Sequence, residues 1–303
     1  MDRTVAIIGS GPAGLTAAIY AKRALLNAVV IEKEYLGTGA IAVTEKVENY
    51  PGLYGISGFE LGEKFREQAE KLGAEFLDGE VSAIEKGDFW KILLADGSMV
   101  EAKTVIYAAG TSHRKLGVPG DDKLRISYCA VCDGAFYRDK TVAVVGGGDT
   151  ALGDAVYLSN IAKKVYLVHR RGEFRANKSL VKKVGDRENI ELVLNAVLDE
   201  VTGGEKADGL VYTQDGERKS LAVDGIFCAV GSVPNTGVLA GVCELDEKGY
   251  VVAGEDGVTS AEGFFAAGDV RTMPLRQVIT AAADGANAAT SAERYLELLQ
   301  SSN

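Results

Sequence analysis

The sequence predicts an α/β protein of two similarly built domains, each a parallel sheet with helices plus a small antiparallel β-meander, the second inserted in the first. Three observations predict this. The order strand, glycine loop, helix, strand occurs twice; a hairpin signal and a closing apolar strand come after each occurrence; and the chain after the second occurrence reads as a return to the first domain. A match of one element arises easily by chance, whereas four in the same order do not.

The first occurrence opens with Val5–Ile8, then Gly9-Ser10-Gly11-Pro12-Ala13-Gly14 and an Ala-rich run, and reaches a second buried strand at Ala28–Glu32. The spacing of Leu61, Phe65, Ala69 and Leu72 predicts a helix over 59–72, with Gly73 as its C-cap and its face serving core packing. Asp96-Gly97 between apolar runs predicts a hairpin, and 104–110 closes the unit at Gly110. The second occurrence runs from the strand 141–145 through Gly146-Gly147-Gly148-Asp149-Thr150-Ala151 to the strand 164–168. A hairpin at Asp215-Gly216 comes next, and a closing strand at 225–231. After Pro234 come Gly268-Asp269 and a C-terminal helix over 278–299. The two crossings, near 111–120 and 232–237, are marked by Gly and Pro as linkers are. The expected domains are therefore 1–112 with 238–303, and 113–237 between them.

With 303 residues, 47% of them hydrophobic and 25% charged, the composition fits a soluble globular protein with room for two cores. The formal charge of −10 argues against nucleic acid or an anionic membrane as partner. No apolar run approaches the roughly eighteen residues that a membrane span needs. Met1-Asp2-Arg3-Thr4 leads directly into the first strand, so no signal peptide is expected and the expected compartment is the cytoplasm. There, a close pair among the four cysteines is more readily catalytic than structural.

Each glycine loop joins a strand to a helix, the arrangement in which small residues let the backbone approach a pyrophosphate and the helix N-terminus supplies N–H donors. The residues at the end of the next strand distinguish the two loops. Glu32 ends that strand in the first unit, where a carboxylate accepts ribose hydroxyls and repels a 2′-phosphate, so FAD or NAD is expected. At the equivalent place in the second unit stand His169, Arg170 and Arg171, with Arg175 one turn on; guanidinium groups there favour NADP(H). The competing reading is a solvated basic face, to which Lys178, Lys182 and Lys183 are better assigned.

Cys129-Ala130-Val131-Cys132-Asp133-Gly134 precedes the second loop. A CxxC is also half of a zinc site, but zinc needs four ligands and no second pair occurs, so no metal is expected and a redox disulfide is favoured. Thiol–disulfide exchange needs a thiolate, and Asp133 is placed to supply or remove the proton. Cys228, in an apolar strand, reads as a buried inert thiol, and Cys243 has no evident context.

With these residues in place, the chain resembles the bacterial-type, low-molecular-weight thioredoxin reductases of the pyridine nucleotide-disulfide oxidoreductase family over its whole length. The matching motifs are 9–14, Val47-Glu48-Asn49-Tyr50-Pro51-Gly52, 129–134, 146–151, 169–175, Gly268-Asp269-Val270 and Arg276-Gln277. The resemblance implies two Rossmann-like domains. It implies FAD in the first, at Gly9, Gly11, Pro12, Ala13, Gly14, Glu32, Gly39, Asn49, Gly110, Gly268, Asp269, Arg276 and Gln277. It implies NADPH in the second, at Gly146, Gly148, Asp149, Thr150, Ala151, His169, Arg170, Arg171 and Arg175. It further implies that Cys132 is the flavin-side thiol, Cys129 the interchange thiol and Asp133 the acid–base residue, with electrons leaving to thioredoxin or a related redoxin. A homodimer, and domains that alternate between two orientations, are implied as well. Two places depart from the family pattern. Thr38-Gly39-Ala40-Ile41 stands where the family has Gly-Gly-Gln-Leu, and Ala135 precedes Phe136 where two aromatics are usual. The neighbouring alternatives are a small-molecule dithiol oxidase and a reductase fed by ferredoxin or reduced flavin; the intact second loop and its arginines weigh against the latter. A non-catalytic redox sensor is the alternative of another class.

Overall fold

A computed structural model describes residues 3–33, 39–44, 46–204 and 206–301. The chain forms two compact units, Met1–Ser112 with Val233–Asn303, and His113–Ser232. The first part of the chain contributes β1 (Arg3–Ile8), α1 (Pro12–Arg23), β2 (Ala28–Glu32), α2 (Gly58–Lys71), β3 (Glu75–Asp78), β4 (Val81–Lys86), β5 (Trp90–Leu94), β6 (Met99–Tyr107) and β7 (Thr111–His113). Next come the single turn α3 (Ala130–Asp133), β8 (Thr141–Val145), α4 (Asp149–Ser159), β9 (Lys164–Val168), α5 (Lys178–Gly185) and β10 (Ile190–Val193). The remainder holds β11 (Ala196–Gly203), β12 (Ala207–Gln214), β13 (Glu217–Ala222), β14 (Gly225–Cys228), β15 (Ser232–Pro234), β16 (Phe264–Ala266) and α6 (Val278–Ser301).

In the first unit the strand order is β3-β2-β1-β6-β5-β4, with β16 also on β6. The expected meander is not a separate sheet here. β6 runs parallel to β1 from Ala102 to Tyr107 and antiparallel to β5 from Met99 to Ala102, so one long strand belongs to both parts. All five residues of β2 are buried, as parallel strands covered on both faces require. Successive residues of β1 serve opposite faces: Val5 and Ile7 pack beneath α1 and α6, while Ala6 and Ile8 meet Trp90, Ile92 and Phe264.

α1 starts where Pro12 occupies its first turn and continues through alanines, which lose no side-chain entropy. Its partner α6 comes so close that a Cβ on Gly285 would lie 2.1 Å from the Ala13 carbonyl oxygen. α2 begins at Ser57, whose Oγ accepts the Glu60 N–H at 3.1 Å. Serine with an acidic residue three positions on is the sequence signature of such a start. Leu61 and Ala69 of α2 are buried, and Phe65 packs against Ile41, Val47 and Leu61.

The inserted unit holds a parallel sheet in the order β10-β9-β8-β14 and a separate antiparallel meander β11-β12-β13. Gln214 pairs with Glu217 around Asp215 (φ 53°) and Gly216 (φ 81°), a two-residue turn with both central residues left-handed. At the crossings β7 pairs with β15. On the side of the first unit, Asn235 donates to the Ala109 and Gly110 carbonyls and accepts from the Ser112 hydroxyl. No helix among the described residues is long and apolar enough to cross a membrane.

Replacing Gly285 by Val places atoms inside the α1 backbone, where no flexible side chain can yield. We expect a loss of about 1–3 kcal/mol, the usual cost of overpacking, read from chemical denaturation. An unchanged midpoint would show that the helices separate at no cost.

Candidate functional site

In the first unit the loop 9–14 bends from β1 into α1. Gly9 has φ 104°, and a Cβ there would lie 2.5 Å from the Ala108 carbonyl oxygen; one on Gly14 would lie 1.8 Å from that of Gly9. Gly11 caps α1 with extended backbone, and Pro12 comes directly after it. Two distant segments close on this helix start. A Cβ on Gly39 would touch Gly11 Cα at 3.0 Å, and one on Gly268 would touch the Ala13 methyl at 2.9 Å. The space beside these backbones is a cradle that side chains would fill.

The return segment is braced from within. Asp284 accepts from Arg271 Nε at 2.6 Å, from Arg271 Nη2 at 2.5 Å and from the Gly268 N–H at 3.0 Å, all three residues being buried. Burial pushes the neighbouring Asp269 carboxyl up to about 6; Arg276 opposes this and Asp284 adds to it. Arg276 donates to the Asp269 carbonyl at 3.3 Å and lies 4.3 Å over the Tyr250 ring. Just before α6, Gln277 accepts from Asn49 Nδ2 at 2.8 Å, joining two sequence-predicted residues 228 positions apart. Gly110 (φ 62°) lies beyond the end of β6, with open space where its Cβ would be. Of the segment that departs from the family pattern, Thr38 lies outside the described residues, while Gly39, Ala40 and Ile41 form the start of a 3₁₀ turn.

Glu32 is 2% exposed at the end of β2. Its Oε1 accepts from Arg66 Nη1 at 2.6 Å, whereas its Oε2 is buried without a hydrogen-bond partner among the described residues. A buried carboxylate oxygen left unsatisfied is costly, so this one, at the end of the strand that comes after the glycine loop, is an acceptor waiting for a donor.

The inserted unit repeats the glycine geometry. A Cβ on Gly146 would lie 2.4 Å from the Ala229 carbonyl oxygen, the counterpart of the Gly9–Ala108 approach. Gly148 caps α4, whose first turn carries Asp149, Thr150 and the buried Ala151. The His169 ring lies across Gly147, where a Cβ would meet it at 2.2 Å, and stacks on Phe174 at 5.6 Å between centroids. The loop bearing the arginines is tied to this loop twice: the Arg175 N–H donates to the Gly147 carbonyl at 2.9 Å, and the Asn177 N–H to Asp149 Oδ1 at 2.7 Å. Arg170, Arg171 and Arg175 are exposed, and none has a carboxylate partner among the described residues. Burial lowers the His169 pKa, and all three guanidinium groups push it the same way, so they gather round one spot.

Cys129 and Cys132 form a disulfide. Cys129 caps the short turn α3, its Sγ accepting the Cys132 N–H at 3.2 Å, a contact that favours a thiolate on reduction. Asp133 Oδ2 accepts from the buried Ser127 hydroxyl at 2.7 Å. Ser127 is itself fixed to β14, donating its N–H to the Ile226 carbonyl and accepting the N–H of Cys228. The other two thiols stand apart: burial pushes Cys228 and Cys243 each up to about 11, leaving them protonated at neutral pH.

Sequence reasoning missed Arg66, Ser127, Asn235 and the Arg271–Asp284 pair. Arg66 lies on a helix read as packing alone, and Ser127 stands two residues before a cysteine, where no spacing rule points to it. Pro234 marked a crossing, with no sign of the four hydrogen bonds that Asn235 makes beside it.

Fold and site together define a protein with two dinucleotide cradles and a redox-capable disulfide in the second unit. A family model described as pyridine nucleotide-disulphide oxidoreductase matches residues 3–285. A thioredoxin reductase of Bacillus subtilis is 42% identical over 302 residues, covering 98% of this chain and 95% of its own. One of Streptomyces clavuligerus is 43% identical over 308 residues, with 99% and 96% covered. The crystal structure of thioredoxin reductase from Streptococcus pyogenes superimposes with a TM-score of 0.90 at 42% identity, over 97% of this chain and 98% of that one. The chain belongs to the pyridine nucleotide-disulphide oxidoreductase family, which implies a flavin and a pyridine nucleotide. The two cradles and the orphaned Glu32 oxygen fit such groups.

One carboxyl in this region gives a pH test. Burial alone pushes Asp154 of α4 up to about 7. Its folded pKa thus exceeds the ordinary value, so ionising it costs stability increasingly as pH rises from about 4 to about 7. Asp154→Asn is therefore expected to gain on the parent between pH 5 and pH 8 in denaturation midpoint. A difference that stays constant over that range would contradict the assignment.

Proposed function

We propose that the chain is an NADPH-dependent thioredoxin reductase, with FAD in the discontinuous unit and NADPH in the inserted one. The observation that carries this reading is the pair of features in the inserted unit: three exposed guanidinium groups beside a glycine loop, without carboxylate partners among the described residues, and the Cys129–Cys132 disulfide with its braced aspartate. Full-length likeness to thioredoxin reductases supports it. The electron route is NADPH to FAD, to the Cys129–Cys132 disulfide, to the disulfide of oxidised thioredoxin or a related redoxin. A homodimer and a cytoplasmic setting go with it.

When bound, the two cofactors supply an electron pair to the protein disulfide. The rest belongs to the chain. Glu32 accepts the ribose hydroxyls of the first nucleotide, and the amides at the start of α1 meet its pyrophosphate. Arg170, Arg171 and Arg175 hold the 2′-phosphate of the second. Once the disulfide is reduced, Cys129 as thiolate attacks a partner disulfide. One partner sulfur leaves and takes a proton, and a mixed disulfide forms. Cys132 then attacks Cys129, releasing the second partner thiol and restoring the Cys129–Cys132 bond. Asp133, held by Ser127, relays the protons. The partnerless arginines favour NADPH over a feed by ferredoxin or reduced flavin.

Cys132→Ser should abolish thioredoxin reduction while NADPH still bleaches the flavin; normal turnover in that variant would refute the dithiol role. Arg175→Ala should raise the KM for NADPH about 10- to 100-fold, the range for losing a charged hydrogen bond, and leave that for NADH nearly unchanged. Equal loss with both coenzymes would remove the 2′-phosphate assignment.

A further inference from the structure

Glu32 is held by a residue on a different element. Arg66, on α2, reaches across to the end of β2, where Glu32 is buried and Arg66 half-buried, with side-chain exposures of 1% and 11%. The guanidinium is fixed on three sides. Nη1 donates to Glu32 at 2.6 Å, Nε donates to Glu70 one turn further along α2 at 2.9 Å, and its plane lies 4.0 Å from the Phe76 ring of β3. A planar fork clamped in this way cannot follow its partner, so it sets where the carboxylate points. It occupies Oε1 and leaves Oε2 buried and without a partner.

We propose that Arg66 is a positioning residue for nucleotide recognition in the first unit. By engaging one oxygen of Glu32 it turns the other toward the ribose hydroxyls of the adenosine half of FAD. The inference rests on the assignment of FAD to this unit and goes beyond it, since the ribose acceptor then depends on a residue of another element, α2. The arrangement also has an energetic logic. A carboxylate this deeply buried needs charge compensation. Compensation from the nucleotide side would have occupied the atom that reads the ribose, whereas compensation from α2 leaves it free.

The test compares affinities of the full chain for FAD and for FMN, which lacks the adenosine half, by fluorescence titration after flavin removal. Arg66→Met should weaken FAD about 10- to 100-fold, the range for a charged hydrogen bond, and leave FMN unchanged. Arg66→Lys should restore most of the loss. Glu32→Gln should weaken FAD comparably, and adding Arg66→Met to it should cost nothing further, because residues acting through one contact are not additive. If Arg66→Met alone fails to fold because it strands a buried charge, the Glu32→Gln background still decides. There, equal FAD affinity with and without Arg66 supports the proposal, and a further loss overturns it. Equal weakening of FMN, or undiminished FAD affinity in Arg66→Met, also overturns it. Unmodified protein that binds no FAD at all would instead remove the cofactor assignment, and this proposal with it.

Discussion

Everything at both nucleotide sites depends on how near one backbone can come to another. In each unit the loop after the first strand presses against the residue just past the closing strand: Gly9 on Ala108, and Gly146 on Ala229. At both contacts a Cβ would fall inside a carbonyl group. That approach lets the helix start directly beyond the sheet edge, with its first N–H groups unpaired by the helix itself. Those groups are what a pyrophosphate needs, and they are available because the sheet is sealed behind them by glycine. The contact between α1 and α6 at Gly285 applies the same constraint one layer out, holding α1 in line behind its loop.

Given this shared frame, one clear difference between the sites is what stands at the end of the second strand. In the first unit that position carries a buried acid; in the second it carries a ring and three exposed guanidinium groups. The two solutions reflect opposite solvation problems. A lone carboxylate inside a protein must be compensated, so it drags Arg66 in with it. Arginines at a surface remain hydrated and need no partner until an anion arrives. The acid site is therefore built in advance, and the basic site is left open. The tie from Asn177 to Asp149 shows how the open site is still kept in register, since a backbone N–H on the Asp149 carboxylate anchors the arginine loop without engaging the guanidinium groups.

Much of this was legible in the sequence because it is local. The loops 9–14 and 146–151, the strand ends at Glu32 and His169, and the turn at Asp215-Gly216 are each written in a few consecutive residues. Their neighbours in space are set by the βαβ order. What escaped was long-range or shared. β6 belongs to both the parallel sheet and the meander, and no residue marks Ala102 as the point where its partner on one side gives out. Arg66 lies on a helix where Leu61 and Ala69 announce packing, and one arginine in the polar run with Lys64, Glu67 and Glu70 reads as solvated until the fold shows it half-buried against Glu32. Ser127 is fixed by β14, almost a hundred residues downstream, so its bond to Asp133 has no signature near the cysteines.

The sulfur chemistry obeys the same division between prepared and silenced groups. Four cysteines share one chain, yet burial is enough to confine reactivity to one pair of them. Burial pushes the Cys228 and Cys243 thiols up to about 11, further from the thiolate form that attacks a disulfide. Cys129 sits instead at the open end of a turn, where an amide faces its sulfur, and the carboxylate one residue past Cys132 is held by a hydroxyl that the sheet fixes in place. The position of the Asp133 carboxylate is therefore set through Ser127 by the strand β14, and not by the short turn alone.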